Sequence, residues 1–122
     1  MLFNIIDIMN KDMNIVKIII VYFMVMLSFY IIHSNLMRFI VLFLLYIFSV
    51  ILFNINYKLG FLYFLTGIGA ALTEHIFIKY IHSSWDYRNP NLLTIPFWLI
   101  PLWGLAIIIV TELSNESYLL IN

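Results

Sequence analysis

The sequence predicts an all-α protein, an integral membrane bundle of four transmembrane helices. Of 122 residues, 65% are hydrophobic and only 10% charged, against about 25% charged in ordinary soluble domains. A water-soluble chain of this length could not cover so much apolar surface. Four apolar stretches approach the roughly 20 residues needed to cross a hydrocarbon layer of about 30 Å. Short polar connections separate most of them, which makes sequential helices antiparallel neighbours. The expected solvent is therefore the lipid bilayer, and the expected location a membrane crossed several times.

Charge and cysteine usage exclude several function classes. Six basic and six acidic side chains give a formal net charge of zero, so no basic footprint for nucleic acid is present. The absence of cysteine removes disulfides, thiolate metal sites and thiol nucleophiles. No cofactor motif stands out, and no cofactor is expected. The N-terminal "MLFNIIDIMNKDMN" lacks a small-residue cleavage pattern and reads as a short interfacial segment.

The spans are expected at about 15–33, 37–55, 59–81 and 92–112, within one membrane domain covering 1–122. The first contains Lys17 near its start, where a long side chain can reach the interface. The second begins beside Arg38 and ends at "NINYK", whose asparagines suit a turn. Both are aromatic and large on every side, and read as lipid-facing walls with no polar group in need of a partner. The third differs. Gly67, Gly69, Ala70 and Ala71 make one side small, and the Gly67 to Ala71 spacing permits close helix approach. Gly67, Ala70 and Ala71 are thus the expected packing residues. Such helices also suit a second copy of the chain or another membrane subunit as partner.

In the fourth span, Pro96 falls in the first expected turn. Pro101 falls inside the helix, where it would free the carbonyl of Phe97 and kink the axis. The tail "ELSNESYLLIN" is polar enough to leave the membrane.

Glu74 is the one acidic residue placed well inside an apolar stretch. A carboxyl group there is costly unless it faces protein and finds partners, and helical spacing sets it on the side of Gly67, Ala70 and Ala71. The alternative is that the helix ends near Thr73 and Glu74 is simply solvated. His75, Lys79 and His82 form a neighbouring stripe, but the lysine would repel a metal and no carboxylate joins it, so no metal site is expected. Trp85, Tyr87 and Trp98 suit an interfacial aromatic belt. Trp103 lies too deep for one, and its indole N–H needs an acceptor; the Phe97 carbonyl and the Glu74 carboxyl are the candidates. In "WDYRNPN", Asn89 before Pro90 is held out of the helical region. The candidate polar site is Glu74, Trp85, Tyr87, Asn89, Trp98 and Trp103, lying between the third and fourth helices.

These residues carry a resemblance. Glu74, then Ser84-Trp85-x-Tyr87-x-Asn89-Pro90, then Ile95-Pro96-x-Trp98-Leu99-x-Pro101-Leu102-Trp103-Gly104-x-Ala106, resembles a family of small multi-pass membrane proteins. Its signature is an intramembrane Glu, a GxWxYxNP loop and an IPLWLPxLWGxA final helix. Ser84 stands for the usual glycine and Phe97 for leucine. The resemblance implies four helices and a shared Glu/Trp/Tyr constellation, with no activity attached. The helices are also similar to carotenoid-biosynthesis hydratases, which would make Glu74 a proton donor to an alkene, with Trp85 and Trp103 steadying a carbocation. The spacing from His75 to Asp86-Tyr87 is similar to that of the small succinate dehydrogenase membrane anchor, which would make His75 a haem ligand beside a quinone site. The role expected first is a membrane component or lipid-interacting protein built around the Glu/Trp/Tyr cluster. A small isoprenoid-modifying enzyme and a haem/quinone anchor subunit are the alternatives.

Overall fold

The computed structural model describes the backbone of residues 2–81, 87, 90 and 95–121, and the side chains of 13–81, 87, 90 and 95–117. Among these residues the protein is all-α, with four helices and no strand: α1 (Leu2–Ile31), α2 (Asn35–Leu52), α3 (Tyr57–Tyr80) and α4 (Leu99–Ile121). Each contains a segment long and apolar enough to cross a membrane: Met13–Ile31, Asn35–Leu52, Tyr57–Tyr80 and Leu99–Ser117.

Local chemistry sets the connections. Ser34 caps α2 by accepting from the Met37 N–H at 3.5 Å, and Arg38 reaches back to the last carbonyls of α1, donating to Ile32 O at 2.6 Å and to Phe29 O at 3.3 Å. A cation at a helix C-terminus satisfies acceptors that the helix itself leaves open. At the other end of α2, Asn54 adopts a left-handed conformation with φ 54°. The Ile55 N–H then donates to Val50 O at 2.9 Å and the Asn54 N–H to Ile51 O at 3.1 Å, the bond pattern of a Schellman stop. Asn56 caps α3 through the Lys58 N–H at 2.8 Å.

The helices alternate up and down, and α4 is in extensive contact with all three others. The core along α4 is Leu99, Leu105 and Ile108, with Val21 and Val25 from α1, Leu42, Leu45 and Tyr46 from α2, and Ala71 from α3. Helices α3 and α4 come into backbone contact at glycine. A Cβ placed on Gly67 would lie 3.0 Å from both the Gly104 nitrogen and the Ile100 oxygen. On its other side Gly104 accepts the Tyr46 ring, which a Cβ there would meet at 2.8 Å. The Tyr46 hydroxyl donates to the Gly60 carbonyl, tying α2 to α3 across the foot of this interlock.

Helix α1 runs unbroken from Leu2, and α4 continues to Ile121. Several expectations are corrected. Helix α4 starts at Leu99, not near 92. Pro101 therefore sits in the first turn, where its missing N–H has no intrahelical partner to lose. The Phe97 carbonyl is not freed, because the Ile100 N–H donates to it at 3.2 Å. Pro96 and Pro101 are both fully buried. Nor are α1 and α2 plain walls: Tyr46 and Ser49 are buried, and Asn14 of α1 bonds α4.

Candidate polar site between helices 3 and 4

Side chains on a helix lean toward its N-terminus. Glu74 on α3 and Trp103 on the antiparallel α4 therefore lean toward one another, although Glu74 is a full two turns beyond the Gly67–Gly104 contact. The Trp103 indole N–H donates to Glu74 Oε2. From the connection between the two helices, the Tyr87 hydroxyl donates to Glu74 Oε1 at 2.8 Å. Each carboxyl oxygen thus accepts one donor, and the two donors come from different parts of the chain. Of the two acceptors available in principle to Trp103, the carboxyl is the one it uses.

Tyr87 joins this pair to a second node. Its ring packs edge-on against Trp98, with centroids 5.9 Å apart. Trp98 is buried, donates its own N–H to Asn35 Oδ1 at 2.9 Å, and meets Phe29 edge-on at 5.0 Å. The Arg38 guanidinium stands 5.0 Å from the Phe29 ring centroid and 5.7 Å from that of Trp98. Trp98 is therefore not a Glu74 ligand; it is the buried centre of a layer that closes this end of the bundle. Cation–π contacts of this kind gain strength where water is excluded.

Glu74 borders an open-sided groove of about 590 Å³, lined by Ala70, Thr73, Glu74, Phe77 and Trp103. Trp103 retains 36% of its surface exposed. Thr73 donates its hydroxyl to Gly69 O at 2.9 Å, which leaves no unengaged hydroxyl or indole N–H among the described lining residues. Chemically, this is a hydrocarbon-walled recess with one acidic group at its edge, held in place by two donors.

No family model, curated protein or solved structure matches the chain. The arrangement of its side chains is what speaks for function.

The structure brings together Glu74, Tyr87 and Trp103, with Trp98 one ring away. Trp85 and Asn89 lie outside the described residues, as do His82, Asp86 and Arg88. Gly67 and Ala71 are buried in the α3–α4 contact, whereas Ala70 is only half-buried and lines the groove. Gly69 faces open space. Among the described residues no three His, Cys, Asp or Glu side chains gather in a group that could hold a metal ion.

A second polar contact escapes sequence reasoning. Asn14 of α1 donates to Glu116 Oε1 at 2.8 Å and to Glu112 Oε2 at 3.4 Å, and Glu116 is only 9% exposed. The signal for it is the spacing: 101, 105, 108, 112 and 116 form one stripe of α4, and its last two members are glutamates. Asn35, the acceptor for Trp98, escapes it likewise.

Proposed function

We propose that the protein is a multi-pass integral membrane protein that presents, from within the bilayer, a polar site recognising the headgroup of an amphiphile. The observation that carries this reading is the convergence of Tyr87 and Trp103 on Glu74 at the edge of a hydrocarbon-walled groove. A carboxyl group at such a depth is costly, and two donors fix its position without filling the recess beside it. A groove of this size matches the range of small-molecule sites. Four spans of suitable length and hydropathy support the membrane placement, and the motif resemblance in the last third of the chain agrees with it.

Both Glu74 oxygens accept a hydrogen bond, which fixes the carboxyl at the edge of the groove. The experiment is to purify wild type and Trp103→Ala in a mild detergent and compare the amphiphiles that remain bound by mass spectrometry of the extract. Wild type should retain a component near one equivalent that the variant loses. Identical extracts would refute the reading.

A further inference from the structure

We infer that the headgroup taken by this groove is a lone ammonium on a long hydrocarbon tail, a long-chain alkylammonium amphiphile and not a zwitterionic phospholipid. The inference rests on the headgroup-site reading above and narrows it to one chemistry.

The argument begins with what the recess offers. Among the described lining residues Glu74 is the one acidic or basic group. A carboxylate has about four lone-pair positions, and Tyr87 and Trp103 occupy one on each oxygen. The others are left to accept from an incoming N–H. Phe77 and Trp103 add aromatic rings to the lining, and an aromatic face attracts a cation and is indifferent or unfavourable to an anion.

What the described lining lacks bears on the choice between cationic heads. A phosphate beside the ammonium would need donors, and the polar hydrogens of the described lining side chains are engaged: Thr73 donates to the Gly69 carbonyl and Trp103 to Glu74. A phosphate would also stand close to the Glu74 carboxylate, with no base among the described lining residues to separate them. A head that is cationic alone meets neither penalty. Because the remaining described lining is Ala70 and the side chains of Phe77 and Trp103, the rest of the ligand is hydrocarbon. Its tail would continue along the exposed apolar surface at the end of α3, where Phe77 and Ile81 lie outward.

The test uses the full chain in a nonionic maltoside detergent, offered dodecylammonium chloride, dodecanol or dodecylphosphocholine, with retained adducts counted by native mass spectrometry. Wild type should retain one dodecylammonium in preference to the other two. Glu74→Gln should weaken that adduct about tenfold or more, the loss of a charge-assisted contact. Ala70→Phe, which puts a ring into the groove lining one turn from Glu74, should abolish it. Dodecanol or dodecylphosphocholine retained as tightly as the amine would overturn the assignment of a cation, as would an undiminished adduct in Glu74→Gln. If those adducts nevertheless vanish in Ala70→Phe, the groove remains a headgroup site and only its cation preference falls. If no probe is retained, or all survive Ala70→Phe, both readings fall together.

Discussion

Trp103 on α4 gives its indole N–H to Glu74 on α3, two helical turns from the backbone contact of those helices at Gly67. The contact spans that distance because antiparallel side chains lean toward each other. Indole is a donor only, whereas the Tyr87 hydroxyl on the other oxygen both donates and accepts. Glu74→Gln should therefore be accommodated: the amide oxygen takes the Trp103 N–H, and the amide NH₂ donates to a reversed Tyr87 hydroxyl. Glu74→Leu leaves both donors without an acceptor and should lower stability by about 1–3 kcal/mol. Thermal unfolding of the two variants in detergent reads the difference, and a Leu variant as stable as the Gln variant would show that the two bonds contribute nothing.

Gly67 and Gly69 differ by two residues and should respond in opposite directions. An added methyl at Gly67 meets the backbone of Gly104 and Ile100 at 3.0 Å, and backbone cannot rotate away. Gly67→Ala should force α3 and α4 apart and destabilise by about 1–3 kcal/mol. At Gly69 an added methyl meets nothing within 4 Å. Gly69→Ala should be neutral or stabilising by up to about 1 kcal/mol, the helix-propensity difference. Equal responses at the two positions, measured by unfolding in detergent, would mean that this face of α3 is not packed as described.

Why the small face of α3 is legible in the sequence and the start of α4 is not has a physical answer. Small residues at helical spacing in a chain of large ones have few roles besides close approach, and a carboxyl among them has to find protein. Hydropathy, by contrast, cannot tell a non-helical apolar segment from a helical one. "IPFW", residues 95–98, is not helical yet is apolar enough that hydropathy carries the helix back through it and assigns Pro101 a kink that it does not make. Tyr46 is illegible for another reason. One tyrosine among many aromatic residues carries no pattern, and its value depends on the glycines at 60 and 104 that lie opposite it only after folding. Glu112 and Glu116 read as tail because their polarity outweighs their place on the buried stripe of α4.

Tyr46 and Gly104 should therefore behave as a coupled pair. The Tyr46 ring lies where a Gly104 side chain would go, 2.8 Å from its ideal Cβ, and the ring is held by its hydroxyl on the Gly60 carbonyl. Gly104→Ala should cost about 1–3 kcal/mol through overpacking. Tyr46→Leu shortens the opposing side chain, so Gly104→Ala introduced into that background should cost less. A double-mutant cycle in detergent measures the coupling; strictly additive losses would place the damage somewhere other than this contact.

The Asn14–Glu116 contact closes the opposite end of the bundle from Glu74, pinning α1 to the last turns of α4. Its expected strength is modest. Interhelical hydrogen bonds in membrane proteins average about 0.6 kcal/mol in double-mutant cycles, because each partner finds another when the bond is broken. Asn14 can turn to Glu112, which it already meets at 3.4 Å. Glu116→Ala alone should thus cost little, with Glu112 receiving the Asn14 amide in its place. Removing both glutamates leaves the amide without its acceptors and should cost more than the sum of the single losses. Unfolding of the two single variants and the double variant in detergent tests this: additive effects would show that Glu112 does not substitute for Glu116, and that the longer contact has no share in holding α1 against α4.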